Sequence, residues 1–184
     1  GNGAILLTAH LGNWELLGAS LGTLGYPLDG INKRQKGGFA EIINEYREMT
    51  GTRMIYKGIS LREAVRCLKD NHILGILTDQ GGGQVVTLLG RKTPFPQGAA
   101  RLSLKLNSPI LPTFIRREDN LRHILTVYPP LAFHRTNDTA ADIIALTQQC
   151  ADILSEKITA DPEQYFWVHR IWKDVVGIRN RYEG

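Results

Sequence analysis

The sequence predicts a single-domain α/β sandwich, a mostly parallel central sheet flanked by helices. Three observations carry that prediction. Strand-like and helix-like segments alternate along the 184 residues. The strand-like runs AILLT and ILGILT are continuously apolar, as expected of strands covered on both faces. No internal repeat, low-complexity tract or linker interrupts the alternation, and the length suits one sizeable core.

The elements follow in order. Residues 4–8 form a short apolar strand. Residues 13–24 read as a helix: Asn13 is a capping type, Glu15 lies in the first turn, and Gly25 followed by Pro27 ends it. Residues 28–33 suit a strand, and 38–50 an amphipathic helix closed by Gly51. Residues 53–57 suit a strand. Residues 60–70 suit a helix, with Ser60 and Glu63 spaced as a capping box. Residues 73–78 form a second buried strand, and DQGGG follows its end. Residues 85–89 are β-rich, 97–106 helical, and 110–115 and 124–128 strand-like. Residues 139–158 make the longest helix, capped by Asp138 or Thr139.

Composition narrows the function classes. With 42% hydrophobic and 22% charged residues, the chain is a folded globular type. Its apolar stretches are short and interrupted, so none is expected to span a membrane. The abrupt entry GNGAILLTAH leads us to expect a further N-terminal piece in the full-length protein. Cys67 and Cys150 lack metal spacing and are expected as reduced, packed thiols. The formal charge of +4 mildly favours an anionic partner such as a lipid, a phosphate or an acidic carrier protein.

The stretch TAHLGNWELLG holds the first chemical candidates, His10 and Glu15. Positions five apart on one helix are rotated by about 140° from each other and face apart. The two side chains meet only if His10 lies in the loop before the helix, where Gly12 permits a bend. Glu15 then reaches back to one imidazole nitrogen and leaves the other to accept a proton. Spacing equally allows a loop histidine and a dipole-favoured glutamate with no shared role. Asp79, like His10, falls just past the carboxyl end of a strand, where ligand sites gather in such sheets.

Other patterns are weaker. GASLG, residues 18–22, matches a nucleophile elbow, but Ser20 falls inside a helix instead of on a strand-to-helix turn. The glycines at 81–83 lack the Gly-Lys-Ser/Thr of a P-loop. His72, His123, His134 and His169 share no metal-like spacing, and no metal is expected. Lys33, Arg34 and Lys36 lack the aromatic interleaving of a nucleic-acid surface. Tyr165, Phe166, Trp167 and Trp172 suit core packing, or contact with a membrane interface or an acyl chain.

Four blocks in order resemble the bacterial lipid A biosynthesis acyltransferases, within the wider lysophospholipid (glycerolipid) acyltransferase superfamily. They are HLGNWE, TDQGGG, LLGRKTPFPQGAARLSLKLNSPILPTFIRRE and PEQYFWVHRIWK. The resemblance covers nearly the whole chain and implies one acyltransferase domain over residues 1–184, with a membrane anchor preceding it in the full-length protein. It implies transfer of a fatty acyl group from a thioester, on acyl carrier protein or coenzyme A, to a hydroxyl of a membrane glycolipid. The implied acceptor is an anionic lipid A precursor, with phosphatidylinositol mannosides and lysophospholipids as alternatives. His10 would be the general base and Glu15 its support, with no further cofactor. Asn13, Lys33, Arg47, Asp79, Gln80, Gly98 and Arg101 fall at implied substrate-binding positions. Lys33 stands where many relatives have arginine, GGG after Asp79-Gln80 is unusual, and Gln97-Gly98 replaces a Glu-Gly pair. The implied location is the cytoplasmic face of the bacterial inner membrane, with no nucleic-acid partner. A serine esterase at Ser20 and a non-catalytic lipid-binding module are the competing classes.

Overall fold

The structure is a computed structural model and describes residues 2–32, 38–56, 60–119, 121–169 and 171–172. Six strands form the central sheet in the order β3-β2-β4-β1-β7-β8. They are β1 (Ala4–Thr8), β2 (Leu28–Asn32), β3 (Arg53–Tyr56), β4 (Ile73–Leu77), β7 (Ile110–Arg117) and β8 (His123–Val127). All neighbouring pairs are parallel except β7 with β8. The helices are α1 (Trp14–Thr23), α2 (Gly38–Met49), α3 (Ser60–Lys69), α4 (Gly98–Leu106) and α5 (Thr139–Ala160). The predicted mostly parallel α/β sandwich is the observed architecture.

The pleat divides the core. Leu6, on one face of β1, packs with Leu17 and Leu21 of α1 and with Leu28 and Ile115. Its neighbours Ile5 and Leu7 point the other way, into the larger cluster with Leu68, Leu102, Leu154 and Ile158. Sheet positions buried on both faces explain why β1 reads as an unbroken apolar run. Cys67 and Cys150 lie in the larger cluster as free thiols.

Helix ends follow their sequence signals. Asn13 accepts from the Leu16 N–H at 3.0 Å and starts α1. Asp138 accepts from Ala140 and Ala141 N–H at 2.9 and 3.0 Å and starts α5. Ser20 is inside α1, far from a strand-to-helix turn, so the elbow reading is excluded.

A small hairpin was not expected. β5 (Gln84–Leu88) pairs antiparallel with β6 (Arg91–Phe95) across a two-residue turn. Leu89 and Gly90 both have positive φ, 51° and 73°, which is the type I′ pattern. Leucine is a poor occupant of that position, and two basic residues with a proline at 94 disguise β6. Proline is tolerated here because the hairpin leaves outer edges free of the six-stranded sheet.

No helix among the described residues is long and apolar enough to cross a membrane.

Burial pushes the Cys150 thiol up to about 12, and burial with the Asp29 hydrogen bond also pushes Cys67 up. Both thiols are therefore protonated and sealed. Iodoacetamide at pH 8 is expected to leave both unmodified in the native protein and to modify both after denaturation, as read by mass.

Candidate functional site

The topology creates the site. From β1 the chain moves to β2 and β3 on one side, and from β4 it moves through the hairpin to β7 on the other. Loops leaving the adjacent ends of β1 and β4 therefore diverge and open a crevice. The register pairs Thr8 with Leu77. His10 and Asp79 each lie two residues beyond that pair, so the ladder carries them to the same place.

They are directly bonded. His10 Nδ1 is 2.9 and 3.0 Å from the two Asp79 carboxylate oxygens, and the His10 backbone N–H donates to Oδ2 at 3.1 Å. The Tyr165 hydroxyl donates to the same Oδ2 at 2.9 Å. The Asp79 side chain is 0% exposed, while the His10 side chain is 19% exposed. Burial alone would raise the Asp79 carboxyl, but the His10 hydrogen bond and charge, helped by the His10 amide and Tyr165, hold it below its ordinary range. Burial and the Asp79 charge push the Tyr165 phenol up, so it remains a donor.

The loop conformation is set by glycine and a strap. Gly12 has φ +62°, and a Cβ there would meet the Ile115 carbonyl oxygen at 2.0 Å. Residues 164–166 run alongside. Gly12 N–H donates to the Gln164 carbonyl at 2.9 Å, Leu11 bridges to Tyr165, and Phe166 N–H donates to the His10 carbonyl at 2.9 Å. On the opposite side, Gly82 has φ +113° and lies so close to Phe95 and Pro96 that a Cβ would come within 2.1 Å. That approach brings the TDQGGG loop against the start of α4.

Glu15 does not support His10. Its carboxylate takes a bidentate ion pair from Arg47, with Nε at 2.8 Å and Nη2 at 2.5 Å, and Asn44 accepts from Arg47 at 3.2 Å. The expected His10–Glu15 contact is thus replaced by Asp79 at Nδ1. The physical reason is placement: α1 and α2 lie side by side, so the first turn of α1 faces Arg47, whereas β4 delivers Asp79 in line with the imidazole.

The remaining predicted residues divide. Asp79 is a buried partner of His10 and Tyr165 and offers no free oxygen surface to a substrate. Asn13 has its side-chain oxygen occupied as the α1 cap. The Gln80 amide nitrogen lies against His169 Nδ1. Gly98 begins α4, where Gln97 donates to Gln84 at 2.9 Å and accepts from exposed Arg101 at 3.0 Å. Lys33 lies outside the described residues, as do Arg34 and Lys36.

His169 and Tyr165 were not expected at the site. The His169 ring stands edge-on to His10, with centroids 4.3 Å apart, and Trp14 flanks His10 at 4.8 Å. Burial lowers the His169 pKa first, and the neighbouring His10 charge lowers it further against an opposing Asp79 charge. One ligating atom each of His10, Asp79 and His169 lies within 4.8 Å of the others. The Asp79 carboxylate of this group already accepts from the His10 ring and the Tyr165 hydroxyl. A pocket of about 210 Å³ opens beside Leu11, floored by Phe114, Ile115 and Tyr128 and rimmed by Arg116 and Lys157.

The buried carboxylate gives a stability test. Its stabilisation is complete above the unfolded carboxyl value of about 3.9 and is lost as pH falls through the lower folded value. Asp79→Asn is expected to cost about 1.5–3 kcal/mol at pH 7 and to flatten that acid dependence, as read by denaturant unfolding across pH.

Three phosphatidylinositol mannoside acyltransferases are similar over 180 residues, 94% of this chain. Two from strains of Mycobacterium tuberculosis are 27% and 26% identical, with 55% of their length covered. One from Mycolicibacterium smegmatis is 25% identical, with 57% covered. The chain thus spans little more than half the length of these relatives. Residues 1–174 match the family described as bacterial lipid A biosynthesis acyltransferase. With a match over most of its length, the chain belongs to the bacterial lipid A biosynthesis acyltransferase family.

Proposed function

We propose that the protein transfers a fatty acyl group from a thioester, carried by acyl carrier protein or coenzyme A, to a hydroxyl of an anionic membrane glycolipid. The observation that carries this reading is the His10–Asp79 pair. Asp79 accepts the Nδ1 proton and leaves the Nε2 lone pair available in a partly exposed crevice. His10 then takes the acceptor hydroxyl proton as the oxygen attacks the thioester carbonyl. The imidazolium is stabilised by the buried carboxylate until it protonates the departing thiolate. No acyl-enzyme is needed, and Ser20 in α1 has no part.

The acceptor is a glycolipid on two grounds. The family's description points to a lipid A precursor, the relatives' names to a phosphatidylinositol mannoside. No separate cofactor enters the reaction.

A membrane surface suits the mouth of the site. Phe166, Trp167 and Val168 are 39%, 47% and 79% exposed, immediately after the residue that locks Asp79. Arg117, exposed, joins the same strap through its backbone: its N–H and carbonyl bond the Gln164 side chain at 2.7 and 3.0 Å. Aromatic side chains beside arginine suit an interface with anionic lipid. We place the protein at the cytoplasmic face of the inner membrane.

His10→Ala in the full-length protein is expected to lower acyl transfer at least about 100-fold, and to lower the unfolding temperature while the protein stays folded, because buried Asp79 loses its ring donor. Products from a panel of acyl carrier protein and coenzyme A donors, with lipid A precursor, phosphatidylinositol mannoside and lysophospholipid acceptors, are identified by mass. Undiminished transfer by His10→Ala would sink the mechanism, and acylation of the lysophospholipid alone would sink the glycolipid assignment. The double variant Trp167→Ser, Val168→Ser is expected to bind phosphatidylglycerol vesicles several-fold more weakly in a co-sedimentation assay. Unchanged co-sedimentation would remove this patch from the membrane contact.

A further inference from the structure

The helices on the two sides of the sheet carry opposite charge. On one side, α2 exposes Glu41, Glu45 and Glu48. On the other, α3 exposes Arg62, Arg66 and Lys69, spaced so that they line one stripe about 10 Å long. Beside it, α4 exposes Arg101 and Lys105 one turn apart and has no acidic residue of its own. Both helices bury their other side in the same cluster, through Cys67 and Leu68 of α3 and Ala100 and Leu102 of α4. Their basic stripes therefore face solvent side by side.

This charge is largely uncompensated. Arg66 meets Asp70 at 3.4 Å. Among the described residues, no carboxylate forms an ion pair with Arg62, Lys69, Arg101 or Lys105. Half-buried Glu63 and Asp70 are the only carboxylates on these helices or just after them, so most of the chain's net charge of +4 is gathered on this face. The next helix in the layer, α5, exposes Asp152 and Glu156 instead.

The basic face reaches the crevice. Strands β1 to β4 are parallel, so α3, starting just past the end of β3, begins on the side of the sheet where β1 leads into His10. The start of α4 meets the loop that carries Asp79: Gly82 lies against Phe95 and Pro96, and Gln97 hydrogen-bonds both Gln84 and Arg101, at 2.9 and 3.0 Å. Arg62 and Arg101 thus lie at the crevice end of the face, and Lys69 and Lys105 trail away from it.

We infer that the α3–α4 face is the docking surface for an acidic acyl carrier protein, which supplies the acyl group. The inference rests on the acyl-transfer reading above and decides between its two donors. A carrier protein has a broad acidic surface and holds its thioester on a flexible pantetheine arm, so it docks beside the crevice while the arm reaches the imidazole. A coenzyme A thioester has only its few phosphates and does not need cations along the length of two helices. Opposite charge speeds the encounter and fixes its orientation, and the acidic α2 face repels the same partner.

The test uses the full-length enzyme and the triple variant Arg62→Glu, Arg66→Glu, Lys105→Glu, with acyl carrier protein, coenzyme A and plain pantetheine as acyl donors. The variant is expected to raise KM for the acyl carrier protein at least about 10-fold, and to leave transfer from acyl-pantetheine within about twofold of wild type. Added salt is expected to raise the wild-type KM for the carrier and to change the variant's little. An unchanged KM for the carrier overturns the inference; if co-sedimentation with phosphatidylglycerol vesicles falls at the same time, the face belongs to lipid. Equal loss with acyl-pantetheine also overturns it, because the substitutions then act through the crevice. A wild type that uses acyl-pantetheine and coenzyme A but not the carrier overturns this inference alone. No transfer from any of the three donors overturns the acyl-transfer reading as well.

Discussion

A single buried carboxylate organises this molecule. Asp79 is removed from solvent at the end of β4, and an ionised carboxylate there is costly unless its oxygens are matched. The chain matches them with three donors from two distant stretches: the His10 ring, the His10 amide and the Tyr165 hydroxyl. Each donor is needed where it is, so the carboxylate dictates the loop after β1 and the course of the strap near residue 165. The same interactions that make the buried charge tolerable set the tautomer of the candidate base. Stability and chemistry are therefore carried by one group of hydrogen bonds.

The Glu15–Arg47 pair is a second constraint, with a different purpose. It is partly exposed, with side chains 36% and 21% accessible, so solvent screens it and its share of stability is modest. Its geometry is bidentate, which fixes direction more than it contributes energy. It ties the first turn of α1 to the last turn of α2 on the face of the sheet opposite the α3–α4–α5 layer. Glu15 is thereby engaged by Arg47, and the imidazole is left to Asp79.

The parallel sheet, the helix caps and the burial of β1 and β4 were legible because each rests on local pattern: unbroken apolar runs, capping types and glycine stops. His10 in the loop followed from the five-residue spacing and Gly12. Its partner did not. The sequence places His10 and Asp79 both past strand ends, but only the order β4-β1 and the Thr8–Leu77 register bring them together. Glu15, close in sequence, was the natural expectation; a residue 69 positions away took the place instead. Tyr165 and His169 were hidden for the same reason, since nothing local marks an aromatic segment as the strap over a distant loop. The hairpin was missed because Leu89 occupies a turn position that asparagine usually signals.

The assembly of the site from residues 10–15, 79–80 and 164–169 has a consequence for how it acts. Neither the β1 loop nor the β4 loop can hold the pair alone, because Asp79 without Tyr165 loses a buried donor, and His10 without the strap loses the partner of its carbonyl. The strap and the candidate base are thus held by the same set of hydrogen bonds. The exposed aromatic residues follow directly on the buried tyrosine, so a surface that engages Phe166–Val168 bears on the same short segment that positions Asp79. An exposed apolar surface and the hydroxyl that holds Asp79 thus lie within four residues of chain.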